Sequence, residues 1–223
     1  MTYVATASAV INAGSKLRLA DVNMSDASIN QKDVISKINN KTKAIIIVNL
    51  WGHCSDYSLL KKICNKKKIT LIEDAAQSIG AKNLNNINSG KIGHVSCFSF
   101  FPGKNLGAYG DGGAIITDNK KLYEIISQLR LNGSKNKFEY NYIGINSRLD
   151  NIQACILNHK IKNIKSINNK KREIADFYYK NLRNKKITLF KIGKKSCFHQ
   201  FVILVNNRKL FLRYLKKNKI PFG

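Results

Sequence analysis

Two periods of apolar spacing run through this chain. Lys43–Asn49, KAIIIVN, is a nearly continuous apolar run, as expected of a strand covered on both faces. Thr70–Glu73 is the next short strand, and it delivers Asp74. Ser96–Phe100 alternates small or polar residues with aromatics, and Ala114–Thr117 returns to strand-like residues. Leu17–Val22 and Phe198–Val205 also read as strands. The stretches between them carry helical spacing. Thr2–Ala13 is a small-residue helix ending at Gly14, and Gln31–Ile38 carries Val34, Ile35 and Ile38. Ser55–Lys66 starts on Ser55 or Asp56 as N-cap and sets Leu59, Leu60 and Ile63 on one face. Asn119–Arg130, Ser147–Ile164, Asn168–Leu182 and Arg208–Lys217 are further helices, with Ser147 as a cap. Asn132–Ile143 is polar and aromatic, a loop.

Strands alternating with helices imply an α/β protein, a parallel sheet with helices on both faces. The site of such a sheet lies beyond the carboxyl ends of its strands. Asn49, Asp74 and Lys104 each follow a strand, so they are placed to meet there. The junction of the two helices near residue 165 divides a larger unit, 1–165, from a smaller one, 166–223.

The stretch that organises the rest is Ser96–Thr117, SCFSFFPGKNLGAYGDGGAIIT. Pro102 and five glycines force a tight, irregular turn, and Lys104 sits at its start. A desolvated lysine in a cleft has a lowered pKa and becomes a nucleophile. The chain is rich in lysine, so an ordinary surface charge is the competing reading of any one of them. The order Ser99, four residues, Lys104, then NLGAYGDGG is narrower. It resembles the Schiff-base segment of the DegT/DnrJ/EryC1/StrS family of sugar aminotransferases, which carry pyridoxal phosphate (PLP).

The resemblance implies roles for particular residues. Asp74, in EDAAQS, matches the carboxylate that pairs with the protonated pyridine nitrogen of PLP. Without the resemblance, a strand-end Asp capping the next turn is the simpler reading. Glu73 faces the other way along a strand. Gln77 matches a residue that hydrogen-bonds near the cofactor's phenolic oxygen; otherwise it is a surface Gln. Ser99 matches a serine on the cofactor phosphate, and hydroxyls at glycine-rich turns are natural anion ligands. Tyr3, in Thr-Tyr-x-Ala-Thr, matches an aromatic stacked on the ring; its alternative is a core tyrosine. In GINSRLDNIQ, Asn146 matches a residue that reaches the cofactor phosphate of the neighbouring subunit. That implies a homodimer with shared active sites. Arg148 and Asp150 read as a structural ion pair.

The implied fold is PLP-dependent transferase fold type I, aspartate-aminotransferase-like: a mainly parallel sheet flanked by helices, plus part of a smaller C-terminal α/β domain. The implied reaction moves an amino group from an amino acid, glutamate above others, to a keto group of a nucleotide-linked sugar. PLP-dependent sugar dehydratases of the same family have His in place of the lysine, and here it is Lys104. Relatives carry an earlier Gly-Thr turn and continue past Gly223, so the expectation is a chain truncated at both ends, with a non-functional fragment as an alternative. Many relatives have His where Asn49 and Tyr140 stand, which bears on substrate contacts.

Composition changes this picture little. The charge of +26 invites a nucleic-acid reading, but seven of the 39 basic residues are arginine and no recognition motif accompanies them. The lysines alternate with Asn and Ile along the whole chain, as A/T-rich codons produce, and their charge would attract anionic substrates. Five cysteines without C-x-x-C fit reduced thiols, and neither they nor the four histidines show metal-ligand spacing. No apolar run is long enough to span a bilayer and MTYVATASAV has no basic leader region, so a cytoplasmic protein is expected.

Overall fold

A computed structural model describes residues 1–222. Four strands form the main sheet in the order β1-β2-β3-β4: β1 Ala44–Val48, β2 Thr70–Asp74, β3 Val95–Ser99 and β4 Gly113–Ile116. β1, β2 and β3 are parallel, while β4 pairs antiparallel with β3, Ser99 opposite Gly113. The connection from β3 to β4 contains no helix, so the chain folds back instead of crossing over. The helices are α1 Val4–Asn12, α2 Gln31–Lys37, α3 Ser58–Lys67, α4 Lys120–Leu129, α5 Asn151–Lys160, α6 Ile164–Asn181 and α7 Arg208–Lys217. A separate antiparallel pair joins β5 Ile187–Leu189 to β6 Ile203–Val205.

The apolar run of β1 is what seats the sheet. Ile45 and Ile47 of β1 and Leu71 of β2 point to one side. There they pack with Val34 of α2 and with Leu60 and Cys64 of α3. Asn30 caps α2 by accepting hydrogen bonds from the N–H groups of Lys32 and Asp33. A second apolar cluster sits around the glycine-rich turn: Leu106 and Ala108 pack against Leu157 of α5, with Phe100, Leu149 and Ile164 around them. The turn that carries Lys104 is therefore seated on α5 and is not a free loop. By contrast α1 buries none of its residues.

The structure departs from the sequence reading at several places. Leu17–Val22 is not a strand: no strand lies alongside it to take its hydrogen bonds, and only Val22 bridges to Ile29. α3 begins at Ser58, because Asp56 turns its carboxylate to the Ser58 N–H and Ser55 bonds His53. α5 begins at Asn151 with Asp150 before it; the Ser147 N–H donates to the Arg130 carbonyl and so lies outside the helix. Arg148 does not pair with Asp150, since its Nε donates to the side-chain oxygen of Asn146 at 3.2 Å. Phe198–Val205 is a strand only from Ile203, because Phe198 takes a left-handed φ of 42° that no strand accommodates. The three-residue β5 was not anticipated. No helix among the described residues is long and apolar enough to cross a membrane.

Candidate active site

Lys104 emerges from the turn that closes β3. Its N–H donates to the Phe101 carbonyl at 2.9 Å, the Phe100 N–H to the Gly112 carbonyl at 2.7 Å, and the Ala108 N–H to the Phe100 carbonyl at 2.8 Å. Gly107 is required here, since a Cβ on it would run into the carbonyl of Pro102. The far side of the turn is tied to α5. The Tyr109 N–H donates to Gln153 Oε1 at 2.8 Å, and Lys160 donates to the Gly107 carbonyl at 2.7 Å while lying over the Tyr109 ring. These ties leave the Lys104 amine partly buried. Burial pushes its pKa below the ordinary lysine value, and the Asp74 carboxylate works in the opposite direction.

Asp74 closes β2 beside it. Its Oδ2 accepts a hydrogen bond from the Thr6 hydroxyl of α1 at 2.7 Å, and its Oδ1 accepts from the Ala76 N–H at 3.1 Å. Asp74 and Lys104 feel each other's charge but form no ion pair; the pairs among the described residues are Lys37–Asp33, His53–Asp26 and Lys135–Glu139. A carboxylate and an amine thus face the same mouth without quenching each other.

The neighbouring Glu73 faces away, as strand alternation requires, and is fully buried. Its Oε1 accepts from Asn49 Nδ2 at 2.7 Å, the Gly90 N–H at 2.8 Å and the Ser89 hydroxyl at 3.2 Å. Its Oε2 accepts from the Ser96 hydroxyl at 2.9 Å and the N–H groups of Ile92 at 3.0 Å and Gly93 at 3.2 Å. This cage joins the end of β1, the loop before β3 and β3 itself. It also corrects the placement of Asn49: its backbone N–H bonds the Asp74 carbonyl, but its side chain belongs to the cage and not to the mouth.

The other sequence candidates sit as follows. Gln77, just past β2, accepts at Oε1 from the Trp51 N–H at 2.6 Å. This bond holds the turn after β1, where Trp51 has φ 59°. The Ser99 hydroxyl accepts from the Phe101 N–H at 3.3 Å at the root of the Lys104 turn. Tyr3 is the exposed residue just before α1, the helix whose Thr6 holds Asp74. Asn146 is exposed and accepts from Arg148; among the described residues it hydrogen-bonds neither Lys104 nor Ser99. Tyr140 is exposed on the loop before it. So Asp74, Gln77, Ser99 and Lys104 gather at the ends of β2 and β3, Tyr3 sits exposed just before α1, and Asn146 forms no hydrogen bond to them among the described residues.

Sequence reasoning passed over two groups here. Thr6 lay inside the Thr-Tyr-x-Ala-Thr stretch, but nothing in the spacing ties a helix hydroxyl to a strand-end carboxylate. The four histidines show no ligand spacing, so nothing in the sequence singles out His199. It lies near the charges of Lys104 and Lys171, and burial first, then those two cations, push its imidazole down to about 4.

Comparison with known proteins fits this arrangement. Residues 1–223 match the DegT/DnrJ/EryC1/StrS aminotransferase family. A pleiotropic regulatory protein of Geobacillus stearothermophilus is 37% identical, over 98% of this chain and 60% of its own length. The UDP-2-acetamido-2-deoxy-3-oxo-D-glucuronate aminotransferase of Pseudomonas aeruginosa is 35% identical, over 99% of this chain and 62% of its own. A Bacillus subtilis structure with bound cofactor PMP superposes with a TM-score of 0.90 at 30% identity, covering 98% of this chain and 51% of that one. The chain spans about 60% of the length of the curated relatives it matches.

Proposed function

The chain belongs to the DegT/DnrJ/EryC1/StrS aminotransferase family, and from that premise we propose that the whole protein moves an amino group from an amino acid to a keto carbon of a nucleotide-linked sugar. Glutamate is the donor we assign. The fold is PLP-dependent transferase fold type I. The residues present fit PLP. The observation that carries this is a half-buried amine, Lys104, with its pKa lowered by burial, facing a carboxylate, Asp74, with which it does not pair.

When bound, PLP supplies a carbonyl for covalent capture of an amine and a ring that accepts the electrons left by a departing α-proton. Lys104 would hold the cofactor and then, as a free amine, carry the proton from the donor's α-carbon. Its lowered pKa keeps more of it in the basic form. Asp74, aimed by Thr6 and Ala76, would hold a proton at the pyridine nitrogen. The Ser99 hydroxyl and the turn would bind the phosphate, Tyr3 would cover the ring, and Gln77 would bond near the phenolic oxygen. The expected test result is specific. Full-length protein incubated with PLP and reduced with borohydride should carry the label on the Lys104 peptide. Label on another lysine would remove the assignment.

We also infer a homodimer in which Asn146 serves the phosphate of the neighbouring subunit. Support comes from its exposure and from its lacking, among the described residues, any hydrogen bond to Lys104 or Ser99. A closed two-fold dimer would then share its sites. Mixing full-length Lys104→Ala chains with Asn146→Ala chains should recover part of the activity, because one site of each heterodimer keeps both residues. No recovery above the two variants alone would sink the shared site.

A further inference from the structure

The segment Ser196–Gln200 is tied to three loops of the site and has no role in the scheme above. The Ser196 hydroxyl and the Cys197 N–H both donate to the Gly52 carbonyl, at 2.7 and 3.2 Å. The Cys197 thiol donates to the Gln77 carbonyl at 3.2 Å. Asn105, next to Lys104, donates to the Cys197 carbonyl at 2.8 Å. Gly52 has φ 92°, and a Cβ there would meet Cys197 Sγ at 2.6 Å and the His199 N–H nitrogen at 2.9 Å, so the contact allows no larger residue. From α6, Arg172 Nε holds the Ser196 carbonyl at 2.8 Å. The backbone around His199 is therefore fixed by the same loops that carry Trp51, Gln77 and Lys104.

Within that frame the Nδ1 of His199 is buried and has no hydrogen-bond partner. Buried polar atoms are rarely left so. The charged groups that act on the imidazole are Lys104 from the turn and Lys171 from α6, with Asp74 acting on Lys104 in turn. Burial and the two cations keep the ring neutral down to about pH 4. A neutral ring can present a bare nitrogen lone pair, and beside ammonium groups the lone pair is the favoured face. The Lys104 amine, for its part, takes part in none of the ion pairs among the described residues.

We propose that His199 is a positioning residue for Lys104: its neutral imidazole accepts, at Nδ1, a hydrogen bond from the Lys104 amine whenever that amine is not covalently engaged. This rests on Lys104 being the reactive amine of the site. The bond would park the free lysine at the mouth, and by stabilising the ammonium form it would offset part of the lowering caused by burial.

Two measurements on the full-length protein test this without reading turnover. The first is the pH-dependent rate of competitive acetylation at Lys104, followed by mass spectrometry. His199→Leu should lower the Lys104 midpoint by about one pH unit, the size expected for loss of a hydrogen bond to a charged group. His199→Asn places a side-chain oxygen where Nδ1 stood and should restore most of the shift. The second is an NMR titration of His199, whose midpoint should rise by roughly half a pH unit or more in Lys104→Ala. An unchanged Lys104 midpoint in His199→Leu, an Asn variant no better than Leu, or a His199 midpoint blind to Lys104→Ala would each overturn the proposal. If these shifts occurred while PLP labelled another lysine, the functional reading would fall and the His199–Lys104 contact would stand.

Discussion

Asp74→Asn in the full-length protein is expected to slow amino transfer by about 10²–10³-fold while PLP occupancy changes little, the scale of losing one preorganised electrostatic contact. The substitution is nearly isosteric. The amide oxygen can still accept from the Ala76 N–H, and the Thr6 hydroxyl can turn to accept from the amide NH₂. What disappears is the negative charge that would keep a proton on the pyridine nitrogen, and with it the pull on the electrons released at the α-carbon. The Lys104 turn is held by its own backbone and by Gln153 and Lys160, so its geometry does not depend on this carboxylate. Single-turnover rates with the amino-acid donor, alongside the bound-cofactor absorbance, separate the two effects. Near-normal turnover would reject the role of Asp74.

Glu73→Ala, one residue earlier, should act on folding instead of rate. Six donors converge on the Glu73 carboxylate in a fully buried position. Each donor left without a partner costs about 1–3 kcal/mol. Even a few of them amount to a large part of the roughly 5–15 kcal/mol that stabilises a domain. The variant should be recovered as unfolded or insoluble protein. Glu73→Gln keeps the volume and one oxygen but turns an NH₂ toward backbone N–H groups, and should cost about 2–4 kcal/mol. Thermal or denaturant midpoints of both variants check this. A Glu73→Ala protein that melted with the parent would mean the cage contributes little.

The contrast between these adjacent acids shows what was legible in the chain. Strand alternation assigned Glu73 and Asp74 to opposite sides, and the apolar run of β1 and the glycines after β3 located the sheet and its turn. That reasoning works because it is local: period and turn chemistry are written in consecutive residues. It did not find the cage, whose donors come from Asn49, from the loop at Ser89–Gly93 and from Ser96. It misjudged Leu17–Val22, where apolar and charged residues mix with a strand-like spacing but no neighbouring strand pairs among the described residues. It placed Ser147 at the start of a helix as its cap, whereas the helix starts at Asn151 and the Ser147 N–H is engaged with Arg130. Histidine spacing does not point to His199, whose proximity to Lys104 comes from a clamp of Gly52, Gln77 and Asn105 on a distant segment.

The Thr6–Asp74 bond couples two very unequal parts of the molecule. Asp74 ends a strand paired on both sides, while Thr6 belongs to a helix with no buried residue. Helices without a buried face open locally at little cost, whereas central strands open only with the whole domain. One oxygen of the Asp74 carboxylate is therefore held by the chain just past its own strand, through Ala76, and the other by a weakly anchored helix, through Thr6. Whatever surface comes to rest on α1 gains leverage over that carboxylate.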